Sequence, residues 1–199
     1  MDKKRLELLL QRVPPHPSPD PALEQYGTSA DVAADLLISA ALHGDITGRR
    51  VIDLGCGTGI LAIGAALLGA SKVTGIDIDG NAIDVARAAA EGLGVEVELL
   101  RADVSDVGGD FDTAVMNPPF GAQRREADRP FLERAIALAG VVYSIHNAPT
   151  ARFVRTFAEA CGAVVTHEWP HHIVIPHMFD FHGSRRRRVP VVILRIEKA

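Results

Sequence analysis

The chain has 199 residues, of which 47% are hydrophobic, and a formal net charge of −4. This length is enough for one well-buried domain and too short for two. No apolar run reaches the roughly 18 residues that cross a bilayer, so no membrane association is expected. The two cysteines, Cys56 and Cys161, form no CxxC pair, which argues against a disulfide framework and against a zinc site built on thiolates.

The first 28 residues predict a short helix followed by an extended arm. Residues 1–12 start with charged side chains, and the apolar stretch Leu8–Leu10 is too brief for a signal sequence, so we expect an amphipathic helix of a cytoplasmic protein. Five prolines follow within residues 13–21. Because proline has no backbone N–H to donate, this segment is predicted to be extended. Residues 1–28 are therefore assigned to a helix and arm, and residues 29–199 to one domain.

From Ser29 onwards the pattern alternates between helix and strand. Ser29 predicts the cap of a helix over residues 30–43. Near-continuous apolar strands separated by helices predict a parallel sheet with helices on both faces, and the last two strands predict an antiparallel hairpin. The fold class is thus α/β with a seven-stranded, mostly parallel sheet. Strands are predicted over residues 50–54, 72–76, 95–100, 111–116, 141–145, 164–174 and 189–196. Further helices are predicted over residues 60–68, 81–91, 130–139 and 150–160.

A glycine-rich turn is predicted where the first strand meets its helix, with the sequence DLGCGTG over Asp53–Gly59. Glycine lets a backbone approach a ligand closely. In an open α/β sheet, ligands bind beyond the carboxyl ends of the strands. A dinucleotide fingerprint would read GxGxxG, but here the third glycine comes one residue early and Ile60 stands in its place, which counts against NAD or FAD.

Two acids follow the next two strands. Asp77 ends the second strand, where a carboxylate can accept both hydroxyls of a ribose. Asp103 follows the third strand and is placed to reach an adenine amino group, with the Val104 amide close to the ring. Taken singly, each acid could equally be a loop carboxylate or a helix cap, and Asp79 is a candidate for such a cap.

The segment Asn117-Pro118-Pro119-Phe120 follows the fourth strand. The Asn117 side-chain oxygen and a backbone carbonyl can both accept from an NH₂ group, which frees the nitrogen lone pair for attack. Two prolines stiffen the loop, and Phe120 offers a face on which a base can stack. The alternative is an ordinary proline turn with a phenylalanine in the core.

Asp53–Gly59, Asp77 and Asp103 together resemble the class I S-adenosylmethionine-dependent methyltransferases, which have a Rossmann-like fold. In that family the glycine loop cradles the methionine part, the acid after strand two holds the ribose, and the acid after strand three addresses the adenine. Asn-Pro-Pro-Phe in the resembling families marks enzymes that methylate adenine N6, guanine N2 or a protein glutamine amide. The resemblance implies S-adenosylmethionine as cofactor, with contacts from Asp53, Gly55, Cys56, Gly57, Gly59, Asp77, Ile78, Asp103, Val104 and Asn117.

A closer resemblance covers nearly the whole chain. Leu23–Thr28, Asn117–Gly121, Tyr143–His146 and Phe181-His182 resemble the archaeal and eukaryotic adenine-N6 methyltransferases of small-subunit ribosomal RNA. The resemblance implies that the segment with Gln25 and Thr28 folds over the cofactor. It also implies a small zinc-binding activator protein as partner, for which the third strand, a predicted sheet edge, is the expected contact.

The main basic cluster is a run of four arginines between the last two strands. It can contact RNA phosphate or form a solvated loop. Five histidines between residues 167 and 182 are joined by no Cys or Asp cluster at ligand spacing, so no metal site is predicted. Three alternatives to RNA adenine methylation stay open: guanine N2, a protein glutamine, and an RNA-binding ribosome assembly factor. The arginines predicted to contact RNA are Arg124, Arg125, Arg185, Arg186, Arg187 and Arg188.

Overall fold

A computed structural model describes residues 1–20, 24–25, 27–120, 126–176 and 186–199. Six α-helices and seven strands are seen in these ranges, together with 3-10 turns at Val104–Asp106 and Ala148–Thr150. The helices are α1 Lys3–Leu10, α2 Ala30–Leu42, α3 Ile60–Leu67, α4 Gly80–Leu93, α5 Arg129–Leu138 and α6 Ala151–Ala160. The strands are β1 Arg50–Leu54, β2 Lys72–Asp77, β3 Glu98–Arg101, β4 Phe111–Met116, β5 Ala139–Asn147, β6 Ala163–Pro176 and β7 Arg186–Lys198.

The seven strands form a single sheet in the order β3-β2-β1-β4-β5-β7-β6. The first five strands are parallel, and β7 runs antiparallel to both β5 and β6. The predicted α/β class, the C-terminal hairpin and the edge position of β3 are therefore confirmed. The strand order reverses between β1 and β4, and this switch point is where an open α/β sheet binds ligands.

Two hydrophobic clusters cover the two faces of the sheet. Two neighbouring residues of β1 belong to different clusters. Val51 packs with α1, α2 and α3, whereas Ile52 packs with α5 and α6. This alternation follows from the pleat, which points successive side chains to opposite faces. Leu6 and Leu10 of α1 are fully buried in the first cluster, so the N-terminal helix shares the core of the domain.

α1 and α2 both pack closely against α3, because α3 has a glycine, Gly64, at the contact. A Cβ on Gly64 would lie 2.3 Å from Leu37 Cδ1 and 3.4 Å from Leu10 Cδ2. The described residues between α1 and α2, which are 11–20, 24–25 and 27–28, are together called the arm. At the start of α2, Ser29 occupies the predicted N-cap position, but its side chain makes no capping hydrogen bond.

The third strand is shorter than predicted and begins at Glu98 instead of residue 95. The reason is that α4 ends with Gly94 in the left-handed conformation, and the Val95 amide donates to the Ala90 carbonyl to close the last turn. The apolar Val95 and Val97 pack against the core from outside a strand. In the described part of the chain, no helix is long and apolar enough to cross a membrane.

Candidate active site

A cavity of about 1020 Å³ lies beyond the carboxyl ends of β1, β2 and β4. The arm forms one wall through residues such as Pro14, His16 and Gln25, and the start of α5 forms another. Every predicted cofactor residue except Gly59 lines it. Those residues are Gln25, Thr28, Asp53, Gly55, Cys56, Gly57, Asp77, Ile78, Asp103, Val104 and Asn117.

The glycine turn after β1 needs glycine for two different physical reasons. Gly55, Gly57 and Gly59 have φ angles of +71°, +54° and +85°, a region that residues with a side chain rarely adopt. Space is a second reason at two of them: a Cβ on Gly55 would lie 2.9 Å from Phe131 Cε1, and one on Gly59 would lie 3.0 Å from Ala86 Cβ. A Cβ on Gly57 would meet nothing within 4 Å and would point into open space.

Asp53 lies beneath this turn and is only 1% exposed. Its Oδ2 accepts a hydrogen bond from the Ala62 amide at 2.9 Å, in the first turn of α3. Its Oδ1 is buried and has no hydrogen-bond partner among the described residues. Burial raises the pKa of Asp53 to about 8, because a carboxylate charge is disfavoured away from water.

Asp77 and Asp103 stand at the ends of β2 and β3. Asp77 accepts from the Gly57 amide at 2.7 Å and from the Asp79 amide at 2.9 Å, so it ties the two loops of the cavity together. Asp103 accepts from the hydroxyl and the amide of Ser105, at 2.6 and 2.9 Å. The bond from the Ser105 hydroxyl lowers the pKa of Asp103 and keeps it ionised.

Asp79 connects the arm to the sheet. Its Oδ2 lies 2.9 Å from His16 Nε2 and 3.0 Å from Gln25 Nε2, and its Oδ1 caps α4 through the Asn81 amide. The predicted capping role is confirmed, and the hydrogen bond from Gln25 lowers the pKa of Asp79. The attachment of His16 was not predicted, because it joins residues 63 apart and leaves no local pattern.

Asn117 lies directly after β4, at the point where the arm ends. Its Nδ2 donates to Thr28 Oγ1 at 2.9 Å, while its Oδ1 is buried with no partner among the described residues. Pro118 is buried, and Pro119 lines the cavity. Phe120 is partly buried and packs against the cluster that holds α1, α2 and α3, so part of it serves the core. Thr28 contacts Asn117, a link that sequence reasoning did not provide.

The predicted RNA contacts fall mostly at the edge of the described chain. Arg124, Arg125 and Arg185 lie outside the described residues. Arg186 and Arg187 begin β7, and Arg188 is exposed opposite Val174. The part of the chain that the structure describes contains no group of three His, Cys, Asp or Glu side chains that could hold a metal ion.

The cavity fits S-adenosylmethionine on three observations. Its volume accommodates a ligand of that size. The glycine turn leaves its backbone accessible to a ligand. The carboxylates of Asp77 and Asp103 stand at the ends of β2 and β3, where they can contact a ribose and an adenine. The buried Oδ1 of Asn117 has no hydrogen-bond partner among the described residues and can accept a hydrogen bond from a ligand. Fold and site together define a class I S-adenosylmethionine-dependent methyltransferase.

The chain belongs to the methyltransferase small domain family, whose sequence profile matches residues 27–142. An uncharacterized protein of Methanocaldococcus jannaschii is 41% identical over 98% of this chain and 94% of its own length. The rRNA N(6)-adenosine-methyltransferase METTL5 of Danio rerio is 34% identical over 98% of each chain. A protein from Pyrococcus horikoshii with a known crystal structure is 41% identical in sequence. Its fold matches with a TM-score of 0.94, over 100% of this chain and 98% of that one.

Proposed function

We propose that this enzyme transfers a methyl group from S-adenosylmethionine to N6 of an adenosine in ribosomal RNA of the small subunit, in the cytoplasm. The observation that carries the proposal is the buried Oδ1 of Asn117 at the carboxyl end of β4, which has no hydrogen-bond partner among the described residues. An acceptor in this position suits a planar NH₂ group. Relatives that match along nearly their whole length are named rRNA N(6)-adenosine-methyltransferases, which favours adenosine over the other NH₂ nucleophiles.

The chemistry depends on how the chain holds the amine. S-adenosylmethionine, when bound, supplies a methyl group on a positively charged sulfur. The adenine amine is a weak nucleophile because its lone pair is delocalised into the ring. Hydrogen bonds from the NH₂ group to Asn117 Oδ1 and to the Pro118 carbonyl would turn that lone pair away from the ring.

Thr28 sets the direction of the Asn117 amide. Because Nδ2 is committed to Thr28 Oγ1 at 2.9 Å, the side-chain oxygen is left as the acceptor. Phe120 is proposed to contact the target base with the part of its ring that the core leaves exposed. The two prolines restrict the backbone of the loop, so little ordering is needed when the base arrives.

The cofactor is proposed to be held from both sides of the cavity. Asp53, Gly55, Cys56 and Gly57 would receive its methionine part. Gly59, which does not line the cavity, would act by holding the turn, because its amide donates to the Cys56 carbonyl at 2.8 Å. Asp77 and Ile78 would receive the ribose, and Asp103 and Val104 the adenine. Gln25 and Thr28 would cover it from the arm, together with Asn117.

Positive charge on the hairpin is proposed to contact RNA phosphate, through Arg185, Arg186, Arg187 and Arg188. Arg124 and Arg125 would contact RNA beside the target base. With a net charge of −4, the protein would rely on these local clusters, so RNA affinity should fall as salt rises.

The deciding experiment is transfer of labelled methyl from S-adenosylmethionine to unmodified small-subunit ribosomal RNA, followed by nucleoside analysis. Labelled N6-methyladenosine supports the proposal in full. Label in guanosine would move the target to guanine N2, and label in protein would move it to a glutamine amide. A catalytically dead variant that still restored growth in a deletion strain would favour a ribosome assembly role instead.

We further propose a small zinc-binding activator protein as partner at β3. This strand is a sheet edge of four residues, and Leu100 on it is 44% exposed. A groove of about 670 Å³ lies beside it, lined by residues that include Lys72, Val97 and Glu98. Strand edges with exposed apolar groups favour pairing with another chain. An unchanged melting temperature and separate elution on mixing the two proteins would contradict this partnership.

A further inference from the structure

Three buried polar side chains form a chain of contacts beside the candidate active site. His146 Nδ1 lies 3.4 Å from Asp128 Oδ2, and His146 Nε2 lies 2.7 Å from Ser144 Oγ. Asp128, Ser144 and His146 are 7%, 0% and 1% exposed. Buried polar groups destabilise a protein unless they find partners, so the three side chains depend on one another.

The three residues join the two ends of the loop that carries Asn117. Ser144 and His146 lie on β5, which runs parallel to β4, and Ser144 pairs with Met116, the residue before Asn117. The chain leaves the sheet after Met116, and Asp128, which directly precedes α5, contacts β5 through His146. The contact between Asp128 and His146 therefore fixes the start of α5 beside β5.

Asp128 departs from the usual behaviour of its position. It is the N-cap residue of α5, where aspartate commonly accepts a hydrogen bond from the helix's own amides. Here its side chain makes no capping hydrogen bond, and its carboxylate faces His146 instead. The side chain that could cap α5 contacts His146 of β5 instead.

The order Asp128–His146–Ser144 matches that of a hydrolase triad, but burial excludes that role. A nucleophilic serine must reach a substrate, and Ser144 is fully buried. One ring nitrogen of His146 contacts Asp128 and the other contacts Ser144, so both nitrogens have a partner.

Residues that follow Asp128 contact the cofactor side of the cavity. Phe131 lies against Gly55, and Arg129 lines the cavity while its guanidinium lies 4.8 Å from the centre of the Phe153 ring. The position of Asp128 thus sets both the end of the Asn117 loop and the start of this wall.

We propose that His146 is a positioning residue for methyl transfer, which acts through Asp128 to hold residues 126–128 and the start of α5 in place beside the cavity. The inference rests on the proposed function in one respect, that the amine is held at Asn117. It assigns no contact between His146 and the substrate.

The test compares His146→Ala with Tyr143→Phe. Tyr143 is a matched control, since it lies on the same strand, is fully buried and donates its hydroxyl to Asp45 at 2.7 Å on the opposite face of the sheet. Measurements are kcat and KM for RNA, the Kd for S-adenosylmethionine by calorimetry, and amide hydrogen exchange of residues 126–131.

We expect His146→Ala to lower kcat by roughly 10–100-fold, because a displacement of about 1 Å in a reacting group can reduce the rate by that much. Cofactor Kd should change less than kcat, and exchange of residues 126–131 should accelerate. Asp128→Asn keeps an acceptor for His146 and should retain most of the activity. Tyr143→Phe should leave kcat and the exchange of residues 126–131 close to wild type.

Unchanged kcat and exchange in His146→Ala, or an equal fall of kcat in Tyr143→Phe, would overturn the inference. If His146→Ala does not fold, Asp128→Ala tests the same contact from the loop side and should show the same fall in kcat. If the wild-type enzyme transfers no methyl to RNA, the proposed function fails alone. Hydrogen exchange of residues 126–131 then still decides whether His146 holds residues 126–128 and the start of α5.

Discussion

Two of the walls of the cavity are built in different ways. The first, which we call the floor, consists of residues 53–59 and 77–79. Its position is fixed by backbone geometry, by the close contacts of its glycines and by the buried Asp53. The other wall is the arm, which attaches through side chains, with His16 and Gln25 on Asp79 and Thr28 on Asn117. A floor made from the core can hold a ligand in a fixed place, whereas side-chain contacts can open and reform. We therefore expect the arm, and not the floor, to move when the cofactor enters and leaves.

The largest expected effect comes from the residue that touches both the arm and the proposed substrate. Asn117→Ala removes the acceptor and should lower kcat by roughly 100–1000-fold, the range seen when one preorganised hydrogen bond to a reacting group is lost. Cofactor Kd should stay within a few-fold of wild type, since the floor is intact. Labelled methyl transfer and calorimetry measure the two quantities. Full activity in this variant would remove Asn117 from the mechanism.

Breaking the floor should weaken cofactor binding more than breaking the arm. Asp77→Ala removes two hydrogen bonds within the floor, from the amides of Gly57 and Asp79. Hydrogen bonds to a charged group contribute about 1.5–3 kcal/mol, so cofactor Kd should rise by roughly 10–100-fold. Asp84→Ala is the control, because Asp84 pairs with Arg87 on the exposed side of α4. Equal Kd values in both variants would show that Asp77 has no part in binding.

Breaking the arm should give a smaller effect, seen mainly as faster release. His16→Ala removes one partner of Asp79 and leaves Gln25 in place. A hydrogen bond contributes about 0.5–1.5 kcal/mol net, so cofactor Kd should rise roughly 2–12-fold. Ser18→Ala, an exposed change in the same segment, should leave Kd unchanged. If dissociation, followed by stopped-flow fluorescence, were no faster in His16→Ala than in Ser18→Ala, the arm would not control release.

Asp53 in the floor should make the stability of the fold depend on pH. Its pKa is raised to about 8 in the folded protein, from 3.8. Between these values the folded chain keeps a proton that the unfolded chain has lost, so rising pH favours unfolding. The free energy of unfolding should thus fall less steeply with pH in Asp53→Asn than in wild type. Denaturant titrations between pH 5 and about 8 measure both slopes, and identical slopes would mean that Asp53 is ionised in the folded state.

Patterns that are local in sequence gave correct predictions. The alternation of strand and helix predicted the sheet, and the short segment between the last strands predicted the hairpin, because each depends on neighbouring residues. The predicted start of β3 was wrong. Val95 and Val97 pack against the core without being part of the strand, and the Val95 amide closes the last turn of α4. An apolar run alone does not distinguish these two uses.

Contacts between distant residues could not be predicted in the same way. His16 meets Asp79 across 63 residues, and Thr28 meets Asn117 across 89. Asp128 illustrates the limit, because at an N-cap its residue type predicts a capping bond, yet its carboxylate faces His146. The motifs located the cavity, whereas the residues that hold it together appear only when the chain is folded.

The hydrogen bond from Asn117 to Thr28 sets an order of events in turnover. A cofactor held beneath the arm, as proposed above, would enter before Thr28 reaches Asn117, and Asn117 Nδ2 donates to Thr28 Oγ1 in the arrangement that we propose for transfer. We therefore expect compulsory-order kinetics, in which S-adenosylmethionine binds first and S-adenosylhomocysteine leaves last. S-adenosylhomocysteine should then compete with the cofactor but not with RNA in steady-state assays. Methylated RNA would dissociate before the enzyme can reload, so each binding event would yield one methyl group.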